Sequence, residues 1–250
     1  MKATEAELQE LIYNSRNPTR KWLHVTRKNW VDNAIDRFSF EGMAACEIGP
    51  GSCVYLPKLE GKAAQLYVAD VEHQHLAVAK SYSEKNSKVI VLEDDITASK
   101  LPEEFFDLIL LSEVIEHIPN TTLVLDNIVK RLRVGGVLIL TTPQKYSFME
   151  LACKIAFLPF FIGLVRKIYR EPVLETGHIN LQSERDMRKH FHDHGLSVIE
   201  AYKCGLYIPL FSEFFGEFSV KVQRYIENKL RNTALNHIFW TQCYILKRDG

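Results

Sequence analysis

Short apolar runs recur at residues 44–48, 65–69, 89–92, 106–111 and 136–140, and each is separated from the next by a segment long enough for a helix. Two parallel strands can be joined only through a crossover of about a dozen residues, so this alternation predicts a parallel sheet with helices on both faces. No repeat is visible in the 250 residues, and a single α/β domain over 1–250 is expected. Residues 4–38 have helix-forming composition broken at Asn17-Pro18, which makes 1–40 a pair of N-terminal helices. After Pro143 the rhythm is lost, and residues 143–182 are expected to be an apolar insertion or lid before the next helix. Ser183 then caps a helix over 184–194, Gly195 stops it, and strands follow at 196–201 and 238–246. An aromatic-rich stretch at 207–218 is expected partly around a binding pocket and partly in the core.

Composition narrows the function. Lys+Arg and Asp+Glu are both 31, so no global field draws the chain to nucleic acid or to an anionic membrane, and any such attraction must be local. The five cysteines contain no C-x-x-C pair, which argues against a disulfide framework or structural zinc and fits a reducing cytoplasm. Residues 1–10 are polar and acidic, unlike a signal peptide. The longest uninterrupted apolar run, 155–165, would span only roughly 16 Å as a helix and cannot cross a bilayer.

The chemistry gathers at the ends of the expected strands. Glu47-Ile48-Gly49-Pro50-Gly51 puts a glycine loop at the end of the first strand, where backbone can approach a ligand closely; a plain structural turn is the bland alternative. Asp70 lies 19 residues beyond Gly51 at the tip of the next strand, placed to accept both hydrogen bonds of a ribose diol or else to cap a helix. Asp94 and Asp95 end the third strand before Ile96; Asp95 is the one favoured to accept from an adenine amino group, although two adjacent acids also suit a solvated turn. The fourth strand runs into Ser112-Glu113-Val114-Ile115-Glu116-His117, and Leu132-Arg133-Val134-Gly135-Gly136 opens the fifth. A nicotinamide fingerprint fails, because Gly49-Pro50-Gly51-Ser52-Cys53-Val54 has valine where the third glycine belongs.

With these motifs in this order, the sequence resembles the class I methyltransferases that use S-adenosylmethionine (SAM), and among them the small-molecule group that includes the ubiquinone-biosynthesis O-methyltransferases. The resemblance covers residues 40–145 well and 176–203 moderately. It implies a Rossmann-like seven-stranded sheet of order 3-2-1-4-5-7-6 with strand seven antiparallel. It also implies that Glu47, Gly49 and Gly51 contact the methionyl part of SAM, that Asp70 holds the ribose, that Asp95 and Ile96 meet the adenine, and that Ser112 to His117 border the sulfonium and the acceptor.

Methyl transfer from a sulfonium requires alignment and one base, and His117 is the leading candidate, with His178 a second acid/base group. Were the segment helical, Glu113, Glu116 and His117 would share a face and, with His178, could ligate a divalent ion such as magnesium; acids facing solvent are the alternative. Between 148 and 169, apolar residues flanked by Lys154, Arg166 and Lys167 suit either peripheral contact with a membrane or a lid or dimer contact. Arg16, Arg20, Lys21, Arg27 and Lys28 form a basic cluster that normally is a solvated helix face. The expected activity is transfer of a methyl group to a small, partly apolar acceptor at oxygen, with N-methylation or a non-catalytic SAM-binding subunit as rivals and no nucleic-acid partner.

Overall fold

A computed structural model of the chain describes residues 12–156, 158, 163 and 177–250. Its centre is a seven-stranded sheet ordered β3-β2-β1-β4-β5-β7-β6. The strands are β1 (Met43–Ile48), β2 (Ala63–Asp70), β3 (Val89–Glu93), β4 (Phe106–Ser112), β5 (Leu132–Pro143), β6 (Leu196–Cys204) and β7 (Thr241–Arg248). The first five pair in parallel, and β7 runs antiparallel to both β5 and β6, which is the order expected.

The near-continuous apolar runs follow from burial on both faces. All six residues of β1 are buried. Because side chains alternate along a strand, Ala44, Cys46 and Ile48 enter the hydrophobic cluster on one face while Met43 and Ala45 enter the other. β4 divides in the same way, with Ile109 and Leu111 on the first face and Leu108 and Leu110 on the second.

The helices are α1 (Pro18–Phe38), α2 (Leu56–Glu60), α3 (His73–Ser83), α4 (Thr121–Arg131), α5 (Phe148–Ala156), α6 (Glu184–Asp193), α7 (Phe211–Phe215) and α8 (Glu217–Leu230). Asn17 accepts from Arg20 N and proline occupies the first turn, so the Asn17-Pro18 break is the start of α1. Ser183 and Asp186 form a reciprocal capping box on α6. α1 and α8 are locked together by a third apolar cluster that includes Trp22, Leu23, Tyr207, Val220 and Trp240, and by the hydrogen bond from Gln223 to Thr19.

Several expectations change. The helix after the glycine loop has only five residues, and β7 begins three residues later than expected because Ala234–Ile238 forms a 3-10 turn, whereas β5 opens at Leu132 as read from the sequence. The aromatic stretch 207–218 supplies Tyr207 to the core, but Phe214, Phe215 and Phe218 face solvent and none of the stretch borders the central cleft, because it serves to seat α8 on α1. Arg27 is not on a solvated face; it is 7% exposed and points into that cleft. Of the helix expected between residue 4 and the Asn17-Pro18 break, residues before 12 lie outside the described residues, as does the apolar segment beyond Ala156 apart from 158 and 163.

Candidate active site

The strand order reverses direction at β1, with β2 on one side and β4 on the other, and a crevice opens there beyond the carboxyl ends of the strands. It forms a cleft of about 740 Å³. Glu47, Gly49, Gly51, Asp70, Asp95, Ile96, Ser112, Glu113, Glu116, His117 and His178, all named from the sequence, border this one cleft.

The glycine loop is positioned by backbone. Gly49 N donates to Ala69 O at 2.9 Å, and Gly49 has φ +68°; a Cβ there would meet Val114 Cγ2 at 2.3 Å. Only glycine fits that conformation and that approach. Glu47 is 2% exposed and its Oε2 has no hydrogen-bond partner among the described residues. Burial pushes its carboxyl up to about 8.

Asp70 closes β2 with both oxygens engaged: Oδ1 accepts from Glu72 N at 2.9 Å, and Oδ2 lies 2.9 Å from His75 Nδ1, which donates to it. His75 therefore fixes the aspartate at the rim, a role no sequence signal marked. Asp95 caps the 3-10 turn Ile96–Ala98, its Oδ1 accepting from Thr97 N and Thr97 Oγ1 at 2.8 Å each. Asp94 is the buried member of the pair; its Oδ2 accepts from Lys100 N at 2.7 Å. Ile96 is buried beneath the same wall.

The segment after β4 departs from the expected helix. Glu113 adopts φ +59°, and only Ile115–His117 forms a 3-10 turn, so Glu113, Glu116 and His117 do not share a helical face. Glu113 is instead drawn toward α1: Oε2 lies 2.5 Å from Arg27 Nη1, and Oε1 accepts from Thr141 Oγ1 at 3.0 Å. Arg27 Nη2 also donates to His24 Nδ1 at 3.3 Å. Burial, then Arg27 and Arg20, holds the His24 ring well below its ordinary value and so neutral.

Glu116 is fully buried. Its Oε2 accepts from Thr142 Oγ1 at 3.1 Å, while Oε1 has no hydrogen-bond partner among the described residues and lies 4.0 Å from His117 Nε2. Burial pushes this carboxyl well up, and neighbouring Glu113 adds to the rise. The Glu116 carbonyl accepts from Ile179 N and Asn180 N, which brings His178 back over the turn. Ligand atoms of Glu116, His117 and His178 consequently lie within 4.8 Å of one another. That trio is able to hold a cation, and Glu113, expected as a fourth ligand, stands outside it. Both imidazoles have Nδ1 against an oxygen, His117 with Gly177 O at 3.2 Å and His178 with Glu150 Oε1 at 3.1 Å. Arg27, His24, Trp240, Tyr13 and His75 also line the cleft, and none of them sits in one of the strand-end motifs.

A family described as a methyltransferase domain matches residues 22–201. The ubiquinone biosynthesis O-methyltransferase of Pseudomonas paraeruginosa is 28% identical over 133 residues, 50% of this chain and 56% of its own length. The enzyme of the same name from Rhizobium etli is 30% identical over 142 residues, 50% of this chain and 57% of its own. The chain thus spans little more than half the length of these curated relatives. Among solved structures, the N-methyltransferase NodS from Bradyrhizobium japonicum with S-adenosyl-L-homocysteine has a TM-score of 0.60 at 15% identity, covering 99% of this chain and 94% of that one. Phosphoethanolamine N-methyltransferase 2 from Haemonchus contortus with SAM has a TM-score of 0.57 at 17% identity, covering 88% of this chain and 52% of that one. At these identities the structural likeness concerns the fold.

Proposed function

Because the chain belongs to the methyltransferase-domain family, the class I SAM-dependent enzymes, we propose that it transfers a methyl group from SAM to a hydroxyl oxygen of a small, partly apolar acceptor. One observation carries the proposal. A single cleft of about 740 Å³ joins the glycine loop and Asp70 at one end to His117, His178 and Glu116 at the other. Its size suits a nucleoside-bearing ligand together with a small acceptor.

The residues present fit SAM. Gly49 and Gly51 border the cleft with no side chain of their own, and Glu47 Oε2, without a hydrogen-bond partner among the described residues, is a buried acceptor that an ammonium would satisfy. Glu47, Gly49 and Gly51 would hold the methionyl part, Asp70 the ribose, Asp95 and Ile96 the adenine, and Ser112 the neighbourhood of the sulfur. SAM supplies a methyl group already activated by a positive sulfur, so the protein's task is to align the acceptor oxygen and take its proton. The Gly177 carbonyl can only accept, so His117 Nδ1 carries the hydrogen and Nε2 is left as the basic nitrogen. His178 is set out in the same way by Glu150.

A divalent cation at Glu116, His117 and His178 is a second reading, supported by their 4.8 Å grouping and by Glu116 Oε1, which has no hydrogen-bond partner among the described residues. Two imidazoles and one carboxylate suit a first-row transition ion better than magnesium. Its contribution would be to polarise the acceptor oxygen. Peripheral membrane contact through 148–169 stays a proposal as well; no helix among the described residues is long and apolar enough to span a bilayer. The deciding experiment combines calorimetric titration of the purified chain with SAM and a labelled-SAM screen of hydroxyl and amine acceptors. No heat with SAM or its demethylated product would sink the proposal, and turnover confined to amines would correct its oxygen preference.

A further inference from the structure

Glu150 is a carboxylate that no motif explains. It lies in the first turn of α5, is 3% exposed, and its Oε1 faces two nitrogens at once: His178 Nδ1 at 3.1 Å and Trp240 Nε1 at 3.3 Å. Its backbone N donates to Ser147 Oγ at 3.2 Å, which helps fix the turn that carries it. A side chain buried this deeply in an apolar setting is costly unless its hydrogen bonds are made, and here they are made to a ring that borders the cleft.

From this geometry we propose that Glu150 is a positioning residue, whose carboxylate keeps the hydrogen of His178 on Nδ1 and thereby presents the Nε2 lone pair to the acceptor hydroxyl. The proposal rests on the reading that His178 serves the acceptor end of the cleft. In the step it supports, the hydroxyl proton passes to Nε2 of His178. The oxygen's electron pair forms the new bond to the methyl carbon, and the pair of the broken carbon–sulfur bond stays on sulfur. The ring that becomes positive then lies against a carboxylate, the arrangement that an orienting acid provides for a histidine base.

Trp240 sharpens the idea. Indole Nε1–H can only donate, so whatever group occupies position 150 must turn an acceptor oxygen toward Trp240, and that same oxygen is the one against His178. In Glu150→Gln the amide is therefore held with its oxygen inward, and the Nδ1–H form of His178 persists. In Glu150→Ala nothing selects it.

The test uses nitrogen-15 labelled protein, with the His178 ring signals assigned by their loss in His178→Gln, beside steady-state kinetics. Wild type and Glu150→Gln should show His178 protonated at Nδ1, whereas Glu150→Ala should show a mixture of the two tautomers. On the kinetic side, Glu150→Ala should lose about 10- to 100-fold in kcat with acceptor KM and SAM affinity within about threefold of wild type, and Glu150→Gln should recover most of that loss. Unchanged SAM affinity also reports that the alanine variant is folded. The proposal is overturned if Glu150→Ala keeps the wild-type tautomer and kcat, or if Glu150→Gln behaves as Glu150→Ala does. A wild-type protein with the Nδ1–H form in place but no methyl transfer would refute the methyltransferase reading and leave the positioning role standing.

Discussion

Arg27 of α1 and Glu113 of the turn after β4 meet at 2.5 Å with their side chains 9% and 17% exposed, which ties the N-terminal helix to the mouth of the cleft. The pair holds Glu113 in its left-handed backbone conformation, since Thr141 secures the other carboxylate oxygen. Removing one partner would strand a charge in a poorly hydrated place. Arg27→Met should lower stability by about 3 kcal/mol, and Arg27→Met combined with Glu113→Gln should lose less than the sum of the two single variants. Denaturant unfolding of the four proteins measures both quantities.

Gly49→Ala tests the approach of the loop to Val114. With φ +68° and a Cβ 2.3 Å from Val114 Cγ2, the added methyl group forces either the loop or Val114 to move. A stability loss of about 2 kcal/mol is expected, together with loss of measurable SAM binding by calorimetry.

Glu47 makes stability depend on pH. Its folded value of about 8 stands above the ordinary 4.5, so between about pH 5 and pH 8 the unfolded chain releases a proton that the folded chain retains. Stability should therefore fall as pH rises through that window and be unaffected by this group below it. Glu47→Gln should flatten the slope in thermal unfolding. If Glu47 receives the ammonium of SAM, binding at pH 7 should also release a proton, detected as a dependence of the binding heat on the buffer's ionisation enthalpy.

Asp70→Ala and His117→Ala should separate binding from turnover. The first removes a charged acceptor and should weaken SAM affinity about 10- to 100-fold. The second should lower kcat while leaving that affinity nearly unchanged. Equal SAM affinity in Asp70→Ala and wild type would refute the ribose assignment.

Chelation decides the cation. If Glu116, His117 and His178 hold an ion needed for turnover, activity should vanish with a strong chelator and return with a divalent transition ion. Activity indifferent to chelator leaves the histidines as the acid/base groups alone.

The half of the cleft that takes its residues from strand ends was legible in the sequence, because a glycine loop, an acid at a strand tip and an apolar run fix one another's positions along the chain. Glu47, Gly49 and Asp70 are of that kind. Arg27, Trp240 and, behind the cleft wall, Glu150 are not, since each is brought there by packing between elements distant in the chain, and an arginine in mid-helix looks the same whether it faces water or a carboxylate. The helical face expected of Glu113, Glu116 and His117 failed for a local reason: Glu113 turns left-handed as β4 ends, and spacing by three and four then no longer places side chains together. His178 joins Glu116 and His117 only because the Glu116 carbonyl binds the returning backbone at Ile179 and Asn180.

The position of β7 between β5 and β6 bears on how the chain is made. Until Thr241–Arg248 has been synthesised, β5 is an uncovered edge and β6 has no neighbour to pair with. A nascent chain paused before that point carries five paired strands and one loose one, and the open backbone along β5 is a template for another chain. Productive folding of this sheet therefore depends on prompt arrival of its last strand.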